Sequence, residues 1–295
     1  AEGNPDFYTI ESQSFTLNAP VRAGYTFAGW TGTDIESATQ FVTVTQGSWG
    51  DREYTAVWMA NQNKIIFNVN GGEGEMPEQM ISTDSSAPLT ENVFTRAGYT
   101  FAGWATSPEG NVVYADCSDY LMGTESQYNL YAVWSPNLNN IIFDGNGADG
   151  GEMGDISAHT DEVIMLPENT YAKTGYTFIG WATEQNGEVA YEDGAQCTVG
   201  TEVAYTLYAV WAANEYLVTL DAVGGEVAED TVAVQYDSAY QLPVPFRTGY
   251  AFIGWYDGTG EGAVAYTDSQ GNSLQNWTET YDKILYAKYT PNLNV

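Results

Sequence analysis

One seven-residue pattern recurs four times in the chain and sets the size of the folding unit. It runs Gly-Tyr-Thr-Phe-x-Gly-Trp from positions 24, 98 and 175, and returns with Ala for Thr from position 249. Two other markers keep the same phase: a Leu-Tyr-Ala-Val-Trp type of segment after each copy, and an apolar segment running into a Gly-rich turn before the last three copies. Three markers in one order at a period of roughly 75 residues predict tandem copies of one small domain.

The markers divide the chain into four predicted repeats, which we number 1 to 4: residues 1–61, 62–137, 138–213 and 214–290. Such units exceed the roughly 20 to 45 residues of a solenoid repeat, so each should fold around its own core. The linkers between them are about five residues long, which restricts the angle between neighbours. We therefore expect tandem small β-rich domains arranged as an elongated rod.

Each marker has the pattern of a β-strand. In the first motif Tyr25 and Phe27 alternate with small residues, which places both rings on one face of a strand, the face expected to be core. Trp30 should then lie on the opposite face or past the strand end, with Gly29 permitting a bulge. The motif positions are Gly24, Tyr25, Phe27 and Trp30; Gly98, Tyr99, Phe101 and Trp104; Gly175, Tyr176, Phe178 and Trp181; and Gly249, Tyr250, Phe252 and Trp255.

The other two markers predict where the remaining strands lie. The closing segment from Leu130 to Trp134 is apolar on both sides, which is typical of a central strand. The Asn-Gly clusters after the opening segment, such as Asn70-Gly71, supply the positive φ values of a hairpin turn. No segment has a 3.6-residue apolar period over three turns, so helix content should be low.

The combined pattern resembles the Listeria-Bacteroides repeat, which is also the B-repeat of listerial internalins. The resemblance rests on Gly-Tyr-x-Phe-x-Gly-Trp, on the closing Leu-Tyr-Ala-x-Trp about 25 residues later, and on the opening strand that ends in Asn-Gly-Gly; it covers nearly the whole chain. It implies a mainly β, α+β fold of the β-grasp type and an extracellular, cell-surface location. It also implies a role in adhesion, receptor contact or the projection of other domains. Repeat 4 departs from the pattern by closing in Tyr289 instead of Trp.

The charge balance excludes some partners. The chain carries 39 acidic and 8 basic residues, a formal net charge of −31, so neither nucleic acid nor an anionic membrane surface is a partner. No apolar run is long enough to predict membrane insertion. Half of the cations, Arg22, Arg96, Lys173 and Arg247, lie two residues before a motif glycine. A cation in phase with the fold is expected to be a structural partner of carboxylates or strand-end carbonyls.

Catalytic chemistry has little support. The single histidine, His159, has no counterpart in the other repeats, so neither a histidine-based triad nor a multi-histidine metal site can be built. We therefore expect no enzyme and no cofactor. A weak calcium candidate is Asp144, Asn146 and Asp149, although the third ligand falls one residue late and Asp155 replaces the Glu of a calcium loop. Turn chemistry is the alternative for these residues.

Two function classes remain open. The first is an adhesion or protein-interaction module that also acts as a spacer, with an unidentified host or cell-surface protein or glycan as partner. The second is a carbohydrate- or mucin-binding module that stacks sugars on exposed aromatic rings. Most aromatic residues are in phase with the repeat and should serve the core. The unphased Trp49, Tyr120 and Trp277 are therefore the candidate ligand aromatics.

The first repeat lacks an opening strand in this sequence. Residues 7–10 align with the second strand of the other repeats, and residues 290–295 match residues 135–140, just before another opening strand would begin. The missing strand lies in the middle of a β-grasp sheet, so an apolar slot is expected in repeat 1. Either an upstream segment fills it, which we favour, or a neighbouring chain adds a strand. The alternative is that residues 1–61 form a complete variant domain.

Overall fold

The computed structural model describes residues 3–293, and every regular element in that range is a β-strand. The expectation of low helix content is confirmed, but a β-grasp-like α+β fold is not, because no helix occurs in residues 3–293. The chain divides into two compact units, residues 1–137 and 138–295. The first unit contains predicted repeats 1 and 2, and the second contains repeats 3 and 4. Residues 294 and 295 of the expected C-terminal match lie outside the described range.

The first unit contains eleven strands. Those of repeat 1 are β1 (Phe15–Thr16), β2 (Tyr25–Gly32), β3 (Ile35–Thr39), β4 (Thr43–Val44) and β5 (Tyr54–Ala60). Those of repeat 2 are β6 (Gln62–Asn68), β7 (Gln79–Ser82), β8 (Ser86–Pro88), β9 (Tyr99–Ala105), β10 (Asp119–Leu121) and β11 (Gln127–Pro136).

Repeat 2 is built on a mixed four-stranded sheet with the order β7-β6-β11-β9. The opening strand β6 runs parallel to the closing strand β11, and the other pairs are antiparallel. The closing strand is central, as its two apolar sides predict. Between β7 and β9, where an α+β fold would need a helix, the chain forms the short strand β8, which pairs with β10. This segment has no helical apolar period, which explains why no helix forms.

The second unit repeats this topology twice. Repeat 3 has the sheet β13-β12-β17-β15 with the side pair β14-β16, and repeat 4 has the sheet β19-β18-β21-β20. The strands are β12 (Leu138–Asp144), β13 (Ile156–His159), β14 (Val163–Met165), β15 (Tyr176–Ala182), β16 (Gln196–Thr198), β17 (Ala204–Ala213), β18 (Glu215–Asp221), β19 (Thr231–Gln235), β20 (Tyr250–Tyr256) and β21 (Lys283–Pro291).

Each of repeats 2 to 4 has its own hydrophobic core. In repeat 2 the opening strand contributes Ile65 and Phe67, the closing strand contributes Leu130, and the motif contributes Trp104, which is completely buried. The same positions in repeats 3 and 4 are also buried: Ile141, Phe143, Leu207 and Trp181, and Val218, Leu220, Leu285 and Trp255. The alternation of β6, with apolar side chains at every second position, accounts for this inward face.

Repeat 1 differs because residues 3–61 contain no opening strand. Its sheet has the order β3-β2-β5, so the closing strand β5 is an edge strand. The strands β1 and β4 pair with each other in a separate two-stranded sheet. Residues 7–10 align with β7 by the register of β1 and β4, as predicted, but they form no strand. The opening strand with which they would pair is absent from residues 3–61. The buried apolar side chains of residues 3–61 are only Trp30, Val42 and Val44.

The turn after the opening strand has the predicted backbone conformation. Asn70 and Gly71 have φ values of 48° and 86°, in the left-handed region that Asn and Gly tolerate best. The turn does not close a tight hairpin between β6 and β7, however. It leads instead to an antiparallel bridge between Glu73 and Thr95, and β7 begins only at Gln79.

Candidate functional site

The recurring motif forms a strand with a β-bulge at its second glycine. In repeat 2 the register between β9 and β11 shifts at this point, and Gly103 has a φ of 142°. A Cβ atom at Gly103 would lie 2.7 Å from the carbonyl oxygen of Tyr114, so a side chain does not fit there. The bulge that the glycine permits is confirmed.

The bulge changes where the motif tryptophan lies. Trp104 was expected on the face opposite Phe101 or past the strand end, and this prediction is wrong. The ring centroids of Phe101 and Trp104 are 4.9 Å apart, and that of Phe67 lies 4.8 Å from Trp104. The extra residue of a bulge reverses the alternation of side chains, so residues three apart share a face. Corresponding Phe–Trp pairs occur at 5.3, 5.0 and 5.5 Å in repeats 1, 3 and 4.

The phased cations stack on the motif tyrosines. The cationic group lies over the tyrosine ring at 3.7 Å for Arg22, 3.8 Å for Arg96, 4.5 Å for Lys173 and 4.2 Å for Arg247. The predicted partners, carboxylates or strand-end carbonyls, are found for Arg22, 3.9 Å from Asp84, and for Arg247, which donates to a carbonyl oxygen at 3.2 Å. The partner that all four cations share is the motif tyrosine ring. The tight turn before the motif brings the cation and the tyrosine, three residues apart, face to face.

In the first unit the motif of repeat 1 also contacts repeat 2. The backbone N–H of Asn61 donates to the carbonyl oxygen of Gly24 at 2.9 Å, and the Thr26 hydroxyl donates to Asn61 Oδ1 at 2.6 Å. The Tyr25 hydroxyl reaches further and donates to Asp84 Oδ2 at 2.6 Å. This hydrogen bond is the main reason that the pKa of Tyr25 is raised.

In the second unit repeats 3 and 4 are joined by the same set of bonds. Asn214 donates from its backbone to Gly175 at 2.9 Å and accepts from Thr177 at 2.6 Å, while Tyr176 donates to Asp237 at 3.4 Å. Sequence reasoning missed the aspartates of these junctions. Asp84, Asp161 and Asp237 recur at the repeat spacing, each with a positive φ, and that phase is the signal that could have singled them out.

The calcium candidates are engaged in turn hydrogen bonds. Asp144 accepts from the backbone N–H of Asn146 at 2.7 Å, and the Asn146 side chain donates to the carbonyl oxygen of Ala209 at 2.9 Å. Asp149 accepts from the Thr174 backbone at 2.9 Å, and hydrogen bonds from Thr174 lower its pKa. Within residues 3–293, no group of three or more His, Cys, Asp or Glu side chains is placed to hold a metal ion.

Of the three candidate ligand aromatics, only Trp49 is available. Its side chain is 82% exposed, whereas Tyr120 is 5% and Trp277 is 1% exposed, so the latter two cannot stack on a ligand. The ring of Tyr120 lies between those of Tyr114 and Tyr128, and burial raises the pKa of Tyr120 to about 12. Neither Tyr120 nor Trp277 recurs in the other repeats, yet each packs in the core of its own repeat. The repeat period alone could not predict this burial.

Repeat 4 contains a partly buried polar cluster. Lys283 Nζ donates to Glu279 Oε1 and contacts the hydroxyl of Tyr266, both at 2.5 Å. Burial lowers the pKa of Lys283, but the hydrogen bonds to Glu279 and Tyr266 outweigh it and raise that pKa. The hydrogen bond from Lys283 lowers the pKa of Glu279. His159 is far more exposed and lies 3.5 Å from Glu162.

These features define a class: tandem small all-β repeat domains in which the recurrent aromatic residues build cores and repeat junctions. The chain belongs to the Listeria-Bacteroides repeat domain family, whose model matches residues 64–133, 140–210 and 216–288. Residues 3–62 match a second family, the divergent InlB B-repeat domain. The predicted resemblance is therefore confirmed. No helix within residues 3–293 is long and apolar enough to cross a membrane.

The relatives include putative membrane proteins and an internalin from bacteria. The chain is 34% identical over 194 residues to a putative Gly-rich membrane protein of Evansella cellulosilytica. The aligned region covers 62% of this chain and 22% of that protein. It is 30% identical over 145 residues to Internalin H of Listeria monocytogenes, which is 49% of this chain and 24% of that protein. The chain thus spans about a quarter of the length of these relatives.

Proposed function

We propose that the chain is an extracellular repeat segment of a bacterial surface protein, where it acts as a non-enzymatic spacer and as an adhesion or protein-interaction module. The observation that carries the proposal is the use of the recurring motif. Its Phe and Trp rings build the cores, and its Gly, Tyr and Thr hold the next linker or repeat. Because these residues pack the cores and join the repeats, they support a structural role as a spacer.

The spacer role is supported by the hydrogen bonds at the junctions. A linker whose backbone and side chain are both bonded to the preceding motif has less orientational freedom than a free chain of the same length. The same linker bonds occur at Asn61 and at Asn214, although the two junctions lie in different units. A surface segment that holds a distal domain away from the cell needs such restrained joints.

The interaction role is supported by the exposed apolar side chains of repeat 1. Phe7, Phe41 and Trp49 are 84%, 77% and 82% exposed, and such residues are frequent at protein interaction sites. The second candidate, a carbohydrate-binding module, is favoured by Trp49 alone, since an exposed indole offers a flat face to a sugar ring.

One binding experiment separates these roles. The full chain and its Trp49→Ala variant are applied to an array of host extracellular proteins, each printed before and after enzymatic removal of its glycans. An interaction module binds a subset of proteins whether or not the glycans are present. Binding that disappears with the glycans and with Trp49 supports the carbohydrate alternative. If the chain binds no protein, with or without its glycans, the adhesion role is removed.

The spacer role is tested by the distance distribution across one junction. Dyes are attached through introduced cysteines in repeats 1 and 2, with Cys117 and Cys197 replaced by serine, and single-molecule energy transfer is measured. The intact chain should give one narrow distribution, and Asn61→Gly should broaden it because the linker bonds are lost. A broad distribution in the intact chain contradicts the spacer role.

A further inference from the structure

The turn after the opening strand has one conformation in repeats 2 to 4. Its first residue is Asn70, Asn146 or Val223, with φ values of 48°, 47° and 45°, and a glycine with positive φ follows each. Consecutive backbone N–H groups in such a turn can form a concave site for an anion. The phased cation lies against this turn. A Cβ atom at Gly71 would be 3.5 Å from Nη1 of Arg96, and the corresponding distances to the cationic groups of repeats 3 and 4 are 3.4 and 3.9 Å.

Repeats 3 and 4 supply this turn with a carboxylate of their own. Asp144 Oδ1 accepts a hydrogen bond from the backbone N–H of Asn146 at 2.7 Å. Asp221 Oδ1 accepts one from the backbone N–H of Val223 at 2.9 Å. Both aspartates are the last residue of an opening strand. The turn therefore donates to a carboxylate in both repeats whose sequence provides one.

Repeat 2 has Asn68 at this position and lacks such a carboxylate. The Asn68 side chain donates instead to the carbonyl oxygens of Ile66 and Leu130, at 3.3 and 3.1 Å. Within residues 3–293 the backbone N–H of Asn70 has no acceptor. In the same range Arg96 donates no hydrogen bond and forms no ion pair, although it stacks on the motif tyrosine. Repeat 2 thus places two kinds of unused donor side by side.

Arg96 differs in this respect from the other three arginines of the chain. Arg22 and Arg52 lie 3.9 and 3.0 Å from aspartate oxygens, and Arg247 donates to a backbone carbonyl oxygen at 3.2 Å. A guanidinium has a planar fork of N–H donors that matches the two oxygens of a carboxylate. Its stacking on the tyrosine ring also fixes the plane of the Arg96 fork before any ligand arrives.

A cleft of about 350 Å³ joins these groups. Asn70 and Arg96 line it together with Trp134 and Glu109. The indole of Trp134 is held in place because its N–H donates to the carbonyl oxygen of Val69 at 3.1 Å. The cleft has the volume of a small ligand site, which admits one sugar-sized group rather than a folded partner.

The sheet around the cleft favours a sugar over a peptide. β11 pairs with β6 on one side and with β9 on the other, so it has no open edge with which a peptide backbone could pair. The Asn70 side chain already donates to the carbonyl oxygens of Pro108 and Ala132. The aromatic ring of Trp134 offers an apolar face for a sugar ring. The net charge of −31 disfavours ligands with several negative charges.

We propose that the cleft of repeat 2 binds the carboxylate of an acidic sugar. The carboxylate pairs with the guanidinium of Arg96 and accepts from the backbone N–H of Asn70, while the sugar ring packs against Trp134. Glu109 lines the same cleft and limits the ligand to a single negative charge. This inference goes beyond the proposed adhesion role and does not depend on it, because it uses none of the exposed residues of repeat 1.

The test titrates glucuronate into the full chain and follows the backbone amide resonances. We expect saturable shifts at residues 70, 71 and 96, and no shifts with glucose, which has the same ring without the carboxylate. Absence of saturable shifts at millimolar glucuronate, or equal shifts with glucose, overturns the proposal. Acetate and a dipeptide with a free C-terminus are two further arms. If either binds as tightly as glucuronate, the cleft recognises a carboxylate without a sugar, and the proposal is wrong.

Three charge variants test the assigned roles. Arg96→Gln should weaken glucuronate binding about tenfold or more, as expected for loss of a charge-assisted hydrogen bond. Arg247→Gln is the matched control in repeat 4, where Asp221 already occupies the turn, and it should leave binding unchanged. Equal effects of the two arginine variants contradict the proposal. Glu109→Gln should strengthen binding several-fold because it removes a like charge. Weaker binding would show that Glu109 faces a cation, against a simple carboxylate ligand.

The aspartate of repeats 3 and 4 provides a second test that leaves Arg96 intact. Asn68→Asp should place a carboxylate on the backbone N–H of Asn70, as Asp144 does in repeat 3 for Asn146. It should then compete with glucuronate and weaken binding several-fold. Asn68→Ala removes the same side-chain amide without adding a carboxylate, and it should leave binding unchanged. Equal binding by the Asp and Ala variants overturns the proposal.

Discussion

Repeats 1 and 2 share a motif strand, a bulge and a closing strand, yet they differ in how much core they build. Repeat 2 buries ten apolar side chains in one cluster, whereas residues 3–61 bury three. The closing strand is central in the sheet of repeat 2 and lies at the edge of the sheet of repeat 1. The difference shows that the motif itself does not complete the fold. A parallel opening strand converts the same aromatic framework into a closed core.

The largest expected effect comes from removing the motif tryptophan of a complete repeat. Trp104→Ala should destabilise repeat 2 by about 3–5 kcal/mol, because a fully buried indole is replaced by a cavity. Trp30→Ala should cost clearly less, since fewer buried side chains surround Trp30. Denaturant unfolding followed by residue-resolved hydrogen exchange measures both. Equal losses in the two repeats would show that repeat 1 is packed as well as repeat 2.

A second contrast concerns one position of the closing segment. Repeat 4 has Lys283 at this position, where repeat 1 has Arg52 and repeat 2 has Tyr128. Lys283→Ala should lower the stability of repeat 4 by about 1–3 kcal/mol, because Glu279 and Tyr266 lose a partly buried partner. Thermal unfolding of repeat 4 reports the loss. Lys288→Ala, which removes a more exposed cation, is the control.

The same cluster predicts a dependence on pH. The pKa of Glu279 is lowered in the folded state, so its contribution to stability is present above its unfolded pKa and is lost as pH falls through the folded value. We expect the melting temperature of repeat 4 to fall below pH 5 more steeply in the intact chain than in Glu279→Gln. Parallel curves for the two proteins would contradict the assignment.

The junction aspartates allow the two units to be compared. Tyr25→Phe removes a 2.6 Å hydrogen bond to Asp84, and Tyr176→Phe removes a 3.4 Å bond to Asp237, while both variants keep the aromatic ring. We expect a loss of about 0.5–1.5 kcal/mol at the first junction and less at the second. Differential scanning calorimetry of the two variants measures it. A larger effect for Tyr176→Phe would reverse the ranking.

The smallest effect is expected from the stacked cations. Arg96→Ala should lower the stability of repeat 2 by about 0.5–1 kcal/mol, as for an exposed cation over an aromatic ring. Arg96→Lys should retain much of it, because Lys173 fills the same position in repeat 3. Unchanged melting in Arg96→Ala would remove the structural role of the phased cations.

The sequence predicted those parts of the fold that recur. Repeat period, strand character, the bulge at Gly103 and the central closing strand all follow from local patterns that return in phase. The face of Trp104 could not be predicted, because the bulge reverses the alternation on which the prediction relied. The open edge of β5 was expected from the missing opening strand of repeat 1, but the pairing of β1 with β4 was not. Burial of Tyr120 and Trp277 is a property of one repeat each, so periodicity carried no information on it.

The central claim, that repeat 1 presents an open sheet edge where repeats 2 to 4 are closed, is tested most directly by amide hydrogen exchange. Residues 51–53 correspond to residues 127–129, which in repeat 2 pair only with β6. The account predicts fast exchange at the amide of Arg52 in the isolated chain, and slow exchange at that of Tyr128, which the parallel ladder bonds to β6. Equal protection at the two amides would contradict it.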